Sequence, residues 1–295
     1  MTTRSVHYDA IDIMRAMGYT DRQATFMYTV ALHSGYFLRR QFNRSIQRQR
    51  GSLAADFLAK AKRAGHIREI QCTPGRLLYH ICAKQIYRIV GIASSANRGA
   101  KSSREIRRRL IVLDYVLARF GKEQFLDTER SRHTYFTQFG VKDDALNSAR
   151  KFGDRLPISV RPGDKRPTSV FPFVDEGQRS ISKFERFLST HDKLLCSLPA
   201  FEVVYVATSP QLFKDAQRLF RKLFPTNTTA EVKNWTSTHG EFEPLIPQAR
   251  LTLELMKDRY PSFLDSDPVC HAVWYRQRYA EQKPSFSSEM RNETV

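Results

Sequence analysis

The sequence predicts an α+β protein, and three observations carry that prediction. Apolar residues recur at helical spacing in several stretches of the first half. Two strand-like runs, 67–71 and 77–82, flank Thr73-Pro74-Gly75-Arg76, which holds a strong turn dipeptide. Beyond residue 121, strand-like and helix-like stretches alternate, the order that gives parallel strand pairing and an α/β unit. With 295 residues, 41% hydrophobic and 12% aromatic, the chain can bury one or two cores, which excludes a disordered basic tail. No run approaches the roughly 18 apolar residues of a membrane span, and the N-terminus lacks a basic segment followed by an apolar one. A cytoplasmic protein without a membrane partner is the expectation.

The elements follow in order. Thr20 caps a helix whose third residue, Gln23, can close a capping box, and Ala24, Met27, Tyr28, Ala31 and Leu32 form its apolar stripe until Ser34-Gly35. A second short helix fits 38–46. Ser52 is an N-cap candidate for a third helix, buried through Leu53, Phe57, Leu58 and Ala61 and stopped at Ala64-Gly65. The two strands of the hairpin come next. Three helices and a hairpin are the layout of a winged helix-turn-helix, in which the third helix enters the major groove and the hairpin lies along the backbone. Its expected DNA contacts are Arg44, Arg48 and Arg50 before the third helix, Lys60 and Arg63 along it, and Arg68 and Arg76 beside the wing. Gln47, Gln49 and Ser52 stand where side chains reach base edges.

Charge points the same way. Residues 1–120 hold 22 Lys and Arg against 7 Asp and Glu, whereas residues 121–295 hold 26 against 23. Most of the net +18 therefore sits in the first two fifths of the chain, and duplex DNA is the polyanion that suits it. The basic residues do not form one face of an amphipathic helix with bulky apolar residues opposite, which argues against a membrane surface. Residues 91–103 read as a loop leading into a helix that opens with Arg104, Arg107, Arg108 and Arg109 and continues through Leu110, Leu113, Val116, Leu117 and Phe120. Cations in a first turn oppose the helix dipole, at a cost of a few tenths of a kcal/mol each. Arg104, Arg107 and Arg108 are accordingly expected to extend the phosphate-facing surface.

In the second half, 156–160, 169–174 and 201–208 read as strands, 180–198 and 211–224 as helices, and 241–260 and 268–282 as two further helices packed by Trp274, Tyr275 and Tyr279. The tail beyond Pro284 is polar. Ser209-Pro210 resembles a loop at the end of a strand, where open sheets carry ligands. There is no Gly-rich phosphate loop, Gly-x-Ser-x-Gly or His-Glu-x-x-His motif. Cys72, Cys82, Cys196 and Cys270 lack metal-ligand spacing and read as reduced, buried thiols. The histidines read as structural, and no cofactor is expected.

With Phe171-Pro172-Phe173-Val174-Asp175-Glu176-Gly177 before a helix and Val203-Val204-Tyr205-Val206-Ala207-Thr208 after it, the chain resembles the plasmid replication-relaxation family over most of 18–224. That resemblance implies a winged helix joined to a restriction-endonuclease-like domain, here degenerate. It also implies a test for a metal-dependent nuclease site. Asp164 would be the first carboxylate, Asp175 or Glu176 the second, and Lys183 a lysine reaching back from the following helix, since the strand lysine of that site is missing. The division expected is 1–90 for the winged helix, 91–120 for a basic connector and helix, 121–283 for the α/β domain and 284–295 for a frayed tail. The function expected is non-enzymatic, sequence-directed binding of duplex DNA in replication, transfer or transcription control of a mobile element or bacterial genome, with a homodimer as a further partner. The alternatives are the nuclease and a protein-interaction module that meets an acidic partner.

Overall fold

The computed structural model describes residues 3–48, 51–72, 77–142, 156–163, 167–177, 180–225, 248–256 and 260. The protein is α+β, with two sheets among the described residues. The chain opens with α1 (Thr3–Ala16) and α2 (Asp21–His33), then β1 (Tyr36–Phe37), α3 (Arg39–Ser45), α4 (Leu53–Arg63), β2 (Ile67–Gln71), β3 (Leu77–Ile81) and α5 (Lys84–Ile89). The capping box at α2 forms as the sequence requires, with the Thr20 hydroxyl accepting from Gln23 N and the Gln23 side chain accepting from Thr20 N. Ser52 does precede α4, but its backbone is already helical, at φ −75° and ψ −22°, and its hydroxyl makes no capping bond. An N-cap oxygen reaches the first-turn N–H groups from an extended backbone, so the expected Ser52 cap is absent.

The first core is aromatic. Phe42 stacks on Phe57 at 4.5 Å, and Phe26 meets Phe37 and Phe42 edge-on at 5.2 and 5.1 Å. The three-stranded sheet has the order β1-β3-β2 and is antiparallel throughout, with Tyr36 and Arg68 both in register with His80. Phe37, Ile67, Tyr79 and Ile81 face the helices of this first core, while Tyr36 and Leu78 point the other way. Both faces of the small sheet are therefore covered.

What covers the second face is α6 (Ser103–Arg119). Every residue from Arg109 to Val116 is buried, the signature of a helix enclosed on all sides. Leu113 joins the first core, while Ile106, Leu110, Ile111 and Tyr115 join a third core shared with the larger sheet. Residues 91–103, expected as a loop, are held down by Asn97, whose amide donates to the carbonyls of Ala31 and Leu32 at the end of α2. Arg109, only 4% exposed, donates to Ser34 O at 2.8 Å, to Glu105 Oε1 at 3.1 Å and to Asn97 Oδ1. Gly35 sits at φ +76° against this loop, where an added Cβ would lie 2.4 Å from Asn97 O.

The rest of the chain adds β4 (Gln124–Phe125), α7 (Glu129–Thr137), β5 (Ser159–Arg161), β6 (Thr168–Asp175), α8 (Ser182–Cys196), β7 (Ala200–Ala207), α9 (Phe213–Leu223) and β8 (Gln248–Leu255). They build a five-stranded sheet of order β4-β5-β6-β7-β8, antiparallel up to β6 and parallel from β6 to β8. The parallel pairing of the strand-helix-strand run is as expected. Val170, Val174, Val204 and Val206 face α6, and Phe171, Phe201, Val203 and Tyr205 face the core that holds Phe184 and Leu188 of α8 and Phe220 of α9. Within 241–260, where a helix is expected, residues 248–255 form strand β8 instead. Its apolar residues alternate along the strand, and Ala249, Leu251 and Leu253 pack onto the α8 side. The helix expected over 268–282 and the tail lie outside the described residues. The thiols are less buried than expected, Cys72 and Cys82 partly so and Cys196 exposed, while Cys270 lies outside the described residues.

Candidate functional site

The face of α4 away from Phe57, Leu58 and Ala61 is exposed through Leu53, Ala55, Asp56, Ala59, Lys62 and Arg63, in the i, i+3, i+4 pattern of one helix side. Arg48 and Arg63 are exposed and make no ion pair among the described residues. Arg68 projects from β2, also exposed. Gln47 closes α3 in the left-handed region, φ +57°, with Gln47 N donating to Arg44 O at 3.0 Å and Arg48 N to Asn43 O at 2.9 Å. That geometry leaves the Gln47 and Arg48 side chains exposed just ahead of α4. Gln49, Arg50 and Arg76 lie outside the described residues.

Other expected contacts turn inward. Arg44 donates to Asp114 Oδ1 at 3.0 Å, beside Arg40, which grips both oxygens of the same carboxylate at 3.0 and 2.9 Å. Lys60 donates to Gly18 O at 2.7 Å and lies over the Tyr19 ring. Arg104 reaches across to Glu176, with Nε at 2.7 Å and Nη2 at 2.6 Å from Oε1. Arg108 stands 3.6 Å from Glu105. Arg107 is partly buried, its Nε without a hydrogen-bond partner among the described residues. The partners of Arg44 and Arg104 are 70 and 72 residues away in sequence, which is why no local pattern reveals them.

The nuclease candidates are only partly brought together. Asp175 accepts from Gly177 N at 2.9 Å and from the Tyr205 hydroxyl at 3.0 Å. Lys183 lies 3.6 Å from Glu176 Oε1. Burial would raise the Glu176 carboxyl, but the hydrogen bond from Arg104 and the charges of Arg104 and Lys183 outweigh it and hold the group below the usual carboxylate range. Asp164 lies outside the described residues, and among those described no group of three or more His, Cys, Asp or Glu could hold a metal.

These pairs line a cavity of about 330 Å³ between the start of α6, the end of β6 and the start of α8. Arg104, Arg108 and Lys183 supply its positive charge, Glu105 and Glu176 its negative charge, and Phe173 and Phe187 its aromatic wall. The two phenylalanines carry no polar signal that would single them out in sequence. Among the described residues no helix is long and apolar enough to cross a membrane. Compared with protein-family models, curated proteins and solved structures, the chain matches none.

Proposed function

We propose that the chain is a duplex DNA-binding protein without enzymatic activity, and that its first ninety residues act as a winged helix-turn-helix. The observation that carries this reading is the sequence of elements α2, β1, α3, α4 and the β2–β3 hairpin, with sheet order β1-β3-β2 and one side of α4 left open to solvent. In such a unit the open helix side enters the major groove and the hairpin follows the phosphates. The excess of 22 basic over 7 acidic residues in 1–120 supplies the sequence-independent affinity. Arg48, Arg63 and Arg68 are the phosphate contacts assigned among the described residues, and Arg50 and Arg76 are assigned the same role from the sequence alone. Gln47, Gln49 and Ser52 are assigned to base edges, and Asp56, the one acid on the open side, suits the amino group of a cytosine. Arg44, Lys60 and Arg104 serve the fold instead. We further propose that the second half, with its mixed five-stranded sheet, serves self-association or binds a partner of replication, transfer or transcription control.

A gel-shift titration of the full chain on duplex DNA tests this. Binding is expected to fall steeply with salt, and the double variant Arg48→Ala, Arg63→Ala is expected to lower the salt slope by about 2, one unit per lost phosphate contact. No shift at low salt, or an unchanged slope in the variant, refutes the reading. Incubation of plasmid with Mg²⁺ or Mn²⁺ is expected to leave the DNA uncut, and cleavage would move the assignment to a nuclease.

A further inference from the structure

The second half of the chain is nearly neutral as a whole, but one of its helices is not. Four Lys and Arg against a single acid, Asp215, fall within the 11 residues of α9. Lys214, Gln217, Arg218, Arg221 and Lys222 are all exposed and follow the i, i+3, i+4, i+7, i+8 spacing of one helix side. Among the described residues Lys214, Arg221 and Lys222 make no ion pair. Arg218 meets Asp215 at 3.4 Å, but the two side chains are 81% and 47% exposed and water screens the pair. Other cations of this half are neutralised, Arg161 by Glu123 and Glu202 and Lys183 by Glu176.

Helix stability does not account for this side. The macrodipole favours Arg221 and Lys222 in the last turn, but Lys214 is the second residue of the helix, where a cation opposes the dipole. Lys214 and Arg218, and Arg218 and Lys222, are like charges at i, i+4, which repel. An anionic partner removes that repulsion. The opposite side of α9 is committed to the core through Ala216 and Phe220, so the helix has no apolar face to turn into a lipid surface. The rings at its two ends are engaged as well, Phe213 with Tyr205 and Phe224 with Phe201 and Phe220, which denies a single strand an aromatic platform on this helix. Protein interfaces carry aromatic or apolar anchors and few lysines, whereas the five residues of this side include no anchor and two lysines. The row of cations from Lys214 to Lys222 is about 12 Å long at 1.5 Å per residue. Duplex DNA carries one phosphate charge per roughly 1.7 Å of its axis, so about seven phosphates fall along that row.

We propose that this side of α9 is a second contact for the phosphate backbone of duplex DNA, independent of base sequence, so that one copy of the protein holds two stretches of duplex. α9 packs on the face of the five-stranded sheet that carries Phe201 and Tyr205, whereas α6, and behind it the small sheet and α4, lie on the face that carries Val170, Val174, Val204 and Val206. The two surfaces thus stand on opposite sides of the larger sheet. The pairing of two duplexes rests on the winged-helix reading, and the contact at α9 does not.

A bead-bound duplex and a free, labelled duplex of unrelated sequence test it. The full chain is expected to carry the labelled duplex onto the beads. The combined variant Lys214→Ala, Arg221→Ala, Lys222→Ala is expected to cut that capture at least about tenfold, while a single duplex still shifts in a gel. Lys214→Arg with Lys222→Arg keeps the charge and is expected to capture like the parent. Capture at the parent's level by the folded triple variant assigns the bridging to self-association and overturns the proposal. A parent that shifts one duplex but captures no second also overturns it, and leaves the winged-helix reading standing. If instead the triple variant loses the single-duplex shift and the Arg48→Ala, Arg63→Ala variant keeps it with an unchanged salt slope, the contact at α9 stands and the winged-helix reading falls. Binding of no duplex at all overturns both. Displacement of the labelled duplex by an oligoglutamate peptide as readily as by unlabelled duplex of equal charge assigns an acidic protein to the stripe and overturns the proposal.

Discussion

Replacing Asp114 with Ala is expected to destabilise the protein by about 3 kcal/mol. The Asp114 side chain is fully buried on α6 and accepts four hydrogen bonds. Arg40 gives two at 3.0 and 2.9 Å, Arg44 one at 3.0 Å and the Tyr260 hydroxyl one at 2.8 Å. A hydrogen bond to a charged group contributes roughly 1.5–3 kcal/mol, and breaking a buried pair by removing one partner costs roughly 3–5 kcal/mol. The upper end does not apply, because the Arg40 and Arg44 side chains are 31% and 44% exposed and regain water when the carboxylate is gone. Thermal unfolding followed by circular dichroism should show a fall of about 6 °C, at roughly 2 °C per kcal/mol for a chain of this size. Arg44→Ala should cost less in the Asp114→Ala background than alone, by at least about 0.5 kcal/mol. A loss below about 1 kcal/mol for Asp114→Ala, or strict additivity of the two changes, would refute the reasoning. It would also free Arg44 to be counted among the DNA contacts.

Three further outcomes are expected. Gly35→Ala should cost at least about 2 kcal/mol in thermal unfolding, since the new Cβ combines a left-handed backbone with a 2.4 Å approach to Asn97 O, and a fall of less than 2 °C would argue against it. Gln47→Gly should raise stability by roughly 0.5–1 kcal/mol, because glycine adopts φ +57° without the side-chain penalty, and no gain in midpoint would contradict that. His80 is held down to about 4, chiefly by burial, against a hydrogen bond to Asn97 O and with the charges of Arg68, Arg109 and Lys101 adding to the shift. The unfolded imidazole takes its proton below about pH 6.5, so the neutral ring stabilises the fold fully above that pH, and this contribution, on the order of 3 kcal/mol, is lost as pH falls from 6.5 towards 4. Denaturant unfolding at pH 7 and pH 4.5 should show a smaller acid loss in His80→Phe than in the parent, and equal losses would exclude His80 as the cause.

Much of the local structure is written locally. Thr20 and Gln23 announce α2, and the Phe57, Leu58 and Ala61 spacing announces α4, because caps and helix faces depend on neighbours within one or two turns, although Leu53, expected on the buried face, is exposed and Ala54 is buried instead. Short elements carry too few residues for a period to show, which hides β1 and α5. Strand β8 was readable in principle. Leu251, Leu253 and Leu255 alternate with Arg250, Thr252 and Glu254, but the helix-favouring Ala, Leu, Glu and Met of the same stretch compete with that signal. The Arg104–Arg109 cluster reads as a phosphate surface because its acids are remote or hidden within the turn: Glu176 for Arg104, and Glu105 for Arg108 and Arg109. Charge counts find where cations are dense, and tertiary contacts decide which of them remain available.

The enclosure of α6 bears on how this protein can be altered or recombined. Its residues complete the first core through Leu113 and the third through Ile106, Leu110 and Tyr115, so neither half owns the helix. A truncation before Ser103 would strip the small sheet of the cover over Tyr36 and Leu78, and one after Arg119 would uncover Val170, Val174, Val204 and Val206. The basic half and the near-neutral half thus behave electrostatically as separate pieces and sterically as one. A gene fusion that treated them as interchangeable cassettes would carry off a fragment with an uncovered apolar face, whichever side of the helix it cut.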